Sequence, residues 1–357
     1  MRTPDTLSIG DVVARLHEFD TVVDARSPSE FRDDHLPRAI NAPVLDDTQR
    51  VTVGTLYKEQ SGFEAKRVGA ALVARNIAGH LETVFADRPR HWSPLVYCWR
   101  GGNRSSALAT VLSRVGWRPV LLEGGYKAFR HQVIGDLERL PPGLRFHVIA
   151  GRTGCGKSLL LGELARQGAQ VLDLEALAKH RGSVLGRLPG TTQPPQRRFE
   201  SLLWEALRAF DSARPVFVES ESRRIGTCHL PEALMNAIRS GNCLKVEARI
   251  DTRVELLMRE YGHFIEEPES LEQHLGFLIP LHGHATISKW RSMLGARDWP
   301  ALVSELLVTH YDPAYERSMA RNYSGFAVAQ RVELADSTPK SLELAALELL
   351  RVGGGKA

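Results

Sequence analysis

The feature that most constrains this chain is Gly151-Arg152-Thr153-Gly154-Cys155-Gly156-Lys157-Ser158, set between the apolar run 146–150 and the helix-like run 159–165. A G-x-x-x-x-G-K-S spacing between strand and helix is a phosphate loop. Its glycines let the backbone wrap a diphosphate with N–H donors, Lys157 neutralises the terminal phosphate, and Ser158 can hold a Mg2+ ion. This half of the chain is therefore expected to be α/β with a mostly parallel sheet, and Gly151, Gly154, Gly156, Lys157 and Ser158 to bind phosphate or diphosphate. Two acids could complete the metal shell: Glu219, ending the run 215–218, and Asp173, following Val171-Leu172. Glu219 is preferred, although strand-end acids often serve only as caps. The loop recognises a diphosphate whatever is attached to it, so the rest of the ligand stays open.

A length of 357 residues suits about two domains. Pro141-Pro142-Gly143 interrupts the pattern, which places the expected division at 1–140 and 144–350, with 351–357 a flexible tail. In the first half, apolar runs at 21–23, 95–97 and 120–122 alternate with helical periodicity, the pattern of a parallel sheet with helices on its faces. Residues 44–92 are too long for one connection, and Leu72, Val73, Ile77, Leu81 and Val84 near helical spacing make this insertion partly helical. In the second half, Val148, 171–172, 216–218 and 246–250 are the expected strands, before a helical, weakly patterned C-terminal part.

Composition narrows the class further. With 43% hydrophobic and 25% charged residues the chain reads as an ordinary globular protein. No apolar run approaches the roughly 18 residues of a membrane span, and the first residues carry no export signal, so a cytoplasmic protein without a membrane partner is expected. Four cysteines with no C-x-x-C pair make neither a disulfide framework nor a structural metal site. The 46 Lys and Arg against 42 Asp and Glu give only +4, so a nucleic acid must be met by local patches. The basic stretch containing Lys179, Arg181, Arg197 and Arg198, and the Arg223-Arg224 pair, are the patches available; each taken alone reads first as a solvated loop.

The second chemical signal is Cys98. It follows the strand-like 95–97, and Trp99-Arg100-Gly101-Gly102-Asn103-Arg104 leads from it into the helix-like 107–115. Ligands of open α/β sheets bind at this carboxyl edge. Glycines that turn backbone N–H groups inward, a helix amino terminus and Arg100 or Arg104 are expected to lower the cysteine pKa from about 8.5 towards roughly 3.5–7.5. Cys98 is then a nucleophile at an anion site.

Val23-Asp24-Ala25-Arg26-Ser27-Pro28-Ser29-Glu30-Phe31, His35 to Asn41, the Cys98 loop and Leu122-Glu123-Gly124-Gly125-Tyr126 resemble successive signatures of the rhodanese fold. That resemblance implies a cysteine that carries sulfur or selenium. Arg104 stands six positions after Cys98, one more than in the family's commonest loop, which widens the ring and suits a tetrahedral anion such as a selenophosphate or phosphate ester.

The order of Tyr57-Lys58, the segment 62–67, Asp173-Leu174-Glu175, His180-Arg181-Gly182-Ser183, Gln193-Pro194-Pro195-Gln196 and the segment 219–226 resembles the tRNA 2-selenouridine synthase family along nearly the whole chain. The resemblance implies a transferase acting on the wobble 2-thiouridine of tRNA: S-geranylation from geranyl diphosphate, then replacement of the S-geranyl group by selenium from selenophosphate. It also implies Cys98 as an S-selanylcysteine intermediate with Arg100 and Arg104 beside it, Mg2+ at the phosphate loop, no organic redox cofactor, and a selenophosphate-producing enzyme as a supplier. Lys179, Arg181, Arg197, Arg198, Arg223 and Arg224 become the candidate tRNA contacts.

Two other readings stay open. One is a rhodanese-type sulfurtransferase or phosphatase regulated by an ATP-dependent phosphate-loop domain; the other is a non-catalytic tRNA-binding scaffold, which would require broken motifs. Cys155, Cys228, Cys243, His282 and His284 carry weaker signals, and Trp99, Trp204, Trp290 and Trp299 suit packing better than base stacking.

Overall fold

The computed structural model describes residues 3–59, 61–183 and 186–353. The chain separates into two compact units, 1–136 with 197–205, and 137–196 with 206–357. A single cut near residue 140 was expected; instead, most of the helix Gln196–Ala209 groups with the first unit.

The first unit is built on five parallel strands, β1 (Asp5–Leu7), β2 (Thr21–Asp24), β3 (Ala39–Asn41), β4 (Pro94–Tyr97) and β5 (Val120–Leu122), in the order β1-β5-β4-β2-β3. Every residue of β2 and β4 is buried, as strands covered on both faces require. Val23, Val96, Leu108, Leu112, Phe85 and Trp92 share their core. The insertion forms two helices, Asp47–Glu59 and Gly62–Glu82, the second started by Ser61, whose hydroxyl accepts from Glu64 N.

Below the carboxyl edge of that sheet lies a buried polar knot. Arg26 forks onto Asp24 at 2.6–3.0 Å and donates to Asp34 O. Its guanidinium stands 3.9 Å from the Tyr126 ring centre. Tyr97, the residue before Cys98, donates to Asp24, while Tyr126 and Ser201 donate to Asp34. The Asp24-Ala25-Arg26 signature is thus structural: it fixes the strand end that presents the cysteine.

The second unit repeats the plan with β6 (Phe146–Ala150), β7 (Gln170–Leu172), β8 (Val216–Glu219), β11 (Asn242–Ala248) and β12 (Gln330–Leu334), all parallel in the order β12-β11-β6-β8-β7, plus a small antiparallel pair, β9 (Arg224–Ile225) and β10 (Cys228–His229). The strand expected at 246–250 starts earlier and stops at Ala248; Ile250 opens a helix instead, with Asp251 favourably placed in its first turn. Between β11 and β12 the chain makes a helical region with its own core around Phe264, Leu275, Trp290 and Leu302. Residues 351–353 finish the helix Pro339–Gly353, packed against Phe217, so the tail expected from 351 does not begin there. Residues 354–357 lie outside the described residues.

Candidate active sites: a cysteine loop and a phosphate loop

Cys98 emerges from β4 and the helix Asn103–Val115 starts five residues later. The turn between them is held from below: Tyr126 N donates to Cys98 O at 2.8 Å and Lys127 N to Trp99 O at 3.0 Å. A Cβ on Gly125 would stand 2.2 Å from Cys98 O, so only glycine fits, and its φ of 57° asks for glycine as well. The Gly124-Gly125 signature therefore exists to let one loop pass under another.

The thiol is more enclosed than a reactive loop cysteine is expected to be, with 3% exposure. Sγ accepts from Ser105 Oγ at 3.2 Å and points at Gly102 O, 3.7 Å away. The groups that meet the sulfur are thus a hydroxyl and a carbonyl. Arg104 does not reach the sulfur either. It pairs with Glu30 at 2.7 Å, and Glu30 also takes Arg50 and the Ser27 N–H. Burial pushes the Glu30 carboxyl up, but the Arg104 hydrogen bond and charge outweigh it and hold the group below its usual range. Arg100 is exposed. Glu30 was not singled out from the sequence, although Ser27-Pro28-Ser29-Glu30 is a capping box and signals it.

The phosphate loop joins β6 to the helix Lys157–Arg166. Gly154 and Gly156 have φ of 83° and 69°, and a Cβ on Gly151 would stand 2.8 Å from Val246 O, so the glycines at these positions are required by backbone. Lys157 Nζ donates to Gly151 O at 2.9 Å, folded back over the cradle. Ser158 Oγ donates to Glu175 at 3.0 Å and lies 3.4 Å from Glu219. Arg253, almost fully buried, clamps the loop by donating to Thr153 O while forking onto Asp312.

Three carboxylates, Glu175, Glu219 and Glu221, bring oxygens within 4.8 Å of one another. Burial, then the Glu221 charge, pushes Glu175 up to about 7. Burial, then Glu175 and Glu221, hold Glu219 well above its ordinary range, and one of its oxygens is buried without a partner. A cation accepted by hard oxygen donors fits this set, with Ser158 as a fourth donor. Of the two acids singled out beforehand, Glu219 is in this cluster; Asp173 instead caps the helix Leu174–Ala178 by accepting from Ala176 N. Glu175 and Glu221 were missed. The one local signal was Glu219-Ser220-Glu221, an i, i+2 pair at the end of a strand, where alternate side chains share a side.

Of the basic candidates, Lys179, Arg197, Arg223 and Arg224 are exposed. Arg197 pairs with Asp33, Arg223 lies 4.0 Å from Glu232, and Arg224 donates to Gly226 O. Arg181 donates to Glu260 O and lies over Tyr261, and Arg198 donates to His35 O, both less exposed. Cys155, Cys228 and Cys243 are buried. Burial pushes each of their thiols up. His282 bonds His310 at 2.8 Å where Gly283 kinks its helix, and His284 is exposed. Trp204 and Trp290 are core residues. Among the described residues no helix is long and apolar enough to cross a membrane.

Residues 8–132 match the family of rhodanese-like domains, and residues 144–277 match the family described as the tRNA 2-selenouridine synthase AAA domain. The tRNA 2-selenouridine synthase of Nitrosomonas europaea is 34% identical over 284 residues, 78% of this chain and 72% of that one. That of Alcanivorax borkumensis is 31% identical over 340 residues, 84% of this chain and 90% of the other. A crystal structure described as the N-terminal domain of a putative ATP/GTP binding protein from Clostridium difficile 630 is 33% identical, covering 36% of this chain and 99% of that one, with a TM-score of 0.32. With a rhodanese-like first half, a phosphate-loop second half and relatives matched along most of its length, the chain belongs to the tRNA 2-selenouridine synthase family.

Proposed function

We propose that this chain is a tRNA-modifying transferase that converts wobble 2-thiouridine to 2-selenouridine in two steps. The observation that carries the reading is the presence, in one chain of this family, of a cysteine and a phosphate cradle at the carboxyl edges of two parallel sheets. In the first step the thiocarbonyl sulfur attacks C1 of geranyl diphosphate. The sulfur–carbon bond forms, the carbon–oxygen bond breaks, and diphosphate leaves with the electron pair. Lys157 leaves Gly151 O to meet the departing oxyanion, joined by N–H groups of the loop and of the helix start. Glu175, Glu219, Glu221 and Ser158 would hold Mg2+, which supplies additional neutralisation of diphosphate charge.

Alkylation turns a poor leaving group into one that departs as a thiolate. Selenium from selenophosphate then enters at the selenide level, and we assign Cys98 to this step as the residue beside which selenophosphate is held. At C2 the selenium–carbon bond forms and the carbon–sulfur bond breaks, the geranyl thiolate taking the electron pair, while water cleaves the phosphorus–selenium bond and phosphate departs. Arg100 is exposed and free to approach the selenophosphate anion, whereas Arg104 must be shared with Glu30. Because Cys98 is covered, loading requires the turn 98–102 to open. The exposed cations Lys179, Arg197, Arg223 and Arg224 are those we assign to gripping tRNA phosphates.

The test is mass spectrometry of thiolated tRNA incubated with the purified chain and each reagent in turn. Geranyl diphosphate alone is expected to give S-geranylated tRNA, and later selenophosphate to give selenouridine. Saturable ATP hydrolysis indifferent to geranyl diphosphate, with unchanged tRNA, would replace this reading with the ATP-regulated sulfurtransferase.

A further inference from the structure

A hollow with an enclosed space of about 70 Å3 inside a wider open mouth lies in the second unit against the phosphate loop. Thr153 of the loop lines it, as does Leu257, whose side chain sits 3.0 Å from where a Cβ on Gly154 would be. The hollow thus begins where the cradle ends. Its other walls come from the helical region between β11 and β12, including Phe264, Leu271, Trp299 and Leu302. Among the described residues no carboxylate, amide or cationic side chain lines it. Its polar side chains are the hydroxyls of Thr153, Ser183, Tyr261 and Tyr311 and the Trp299 indole, and Tyr261 and Tyr311 both bond with Ser183. A packed core does not leave such a space, and an apolar cavity with so few polar partners holds hydrocarbon better than water.

We infer that this hollow receives the hydrocarbon tail of an isoprenoid diphosphate whose head group sits on the phosphate loop, and that Val303 and Met258 in its wall set the length of tail accepted. The inference rests on the geranyl diphosphate reading and deepens it. The region is clamped to the loop by Arg253, which bonds Thr153 O and Asp312 together, so a filled hollow and an ordered loop are linked.

The experiment is calorimetric titration of the full chain with inorganic diphosphate, dimethylallyl diphosphate and geranyl diphosphate. Affinity is expected to rise at least about tenfold with each five-carbon step, well within what burying that many methylenes can supply. Val303→Trp, at a half-buried wall position, should lower geranyl diphosphate affinity about 100-fold and leave inorganic diphosphate within about twofold. Met258→Trp is the second variant, and the wild-type series needs neither. Equal affinity for all three ligands, or a variant that weakens them alike, overturns the tail site while leaving geranyl diphosphate a ligand. Absence of geranyl diphosphate binding overturns both the tail site and the first step proposed above.

Discussion

The cysteine loop and the phosphate loop are the same device put to different uses. Each follows a buried parallel strand, turns on glycines forced by close backbone, and ends at a helix amino terminus. The difference lies in the acids. At the cysteine loop the Glu30 carboxylate is balanced by Arg104 and Arg50 and sits below its usual range. Beside Lys157 three carboxylates crowd together, two of them with little to balance them, and all are pushed up. At the first site the acid is balanced by arginines and the sulfur is covered; at the second the acids crowd one another, which is the arrangement the proposed Mg2+ and diphosphate would relieve. Strand, loop and helix make an anion site possible, and the neighbouring carboxylates decide which anion.

The comparison can be broken at either loop. The largest effect is expected at the knot beneath the cysteine strand: Asp24→Ala leaves the Arg26 charge buried and unpaired, and should lower unfolding free energy by about 3–5 kcal/mol in urea titrations. A loss under about 1 kcal/mol would mean the knot does not hold the strand end. Next, Lys157→Ala removes a charge-assisted contact to the diphosphate and should weaken inorganic diphosphate binding about 100-fold by calorimetry. Unchanged affinity would remove the cradle assignment.

Smaller changes sharpen the contrast between the two sets of acids. Glu219→Gln relieves like-charge crowding, so thermal unfolding without Mg2+ should improve by about 1 kcal/mol while Mg2+-induced stabilisation largely disappears. Retained Mg2+ stabilisation would place the ion elsewhere. Glu30→Gln should cost about 1 kcal/mol at pH 7. Because the folded carboxyl titrates below its ordinary value of 4.5, its contribution is complete above that pH and is lost as pH falls through the lower folded value. The gap between wild type and variant should therefore close on acidification; a gap independent of pH would show that the ion pair is not its source.

Much of this was legible in the sequence where local pattern and burial agree. The runs 95–97, 120–122 and 146–150 are strands because a strand covered on both faces is a short continuous apolar run. Edge strands such as Asp5–Leu7 and Gln330–Leu334 carry polar residues and no such signal. Ile250 misled because an apolar residue after a strand reads as its continuation until the Asp251 helix start is weighed. At the candidate sites, loop context points to Cys98, Lys157 and Glu219. Glu175 and Glu221 needed the fold to bring two strand ends together, and the partners of Arg104, Arg181, Arg197 and Arg198 are contacts between segments far apart in sequence that spacing alone does not record.

The most direct measurement compares the products formed on thiolated tRNA by Cys98→Ala and Lys157→Ala, each supplied with geranyl diphosphate and selenophosphate and read by mass spectrometry. With separate duties for the two loops, Cys98→Ala should accumulate S-geranylated tRNA without selenouridine, and Lys157→Ala should leave most of the thiouridine unaltered. Selenouridine formed at the normal rate by Cys98→Ala, or full geranylation by Lys157→Ala, would contradict that division of labour.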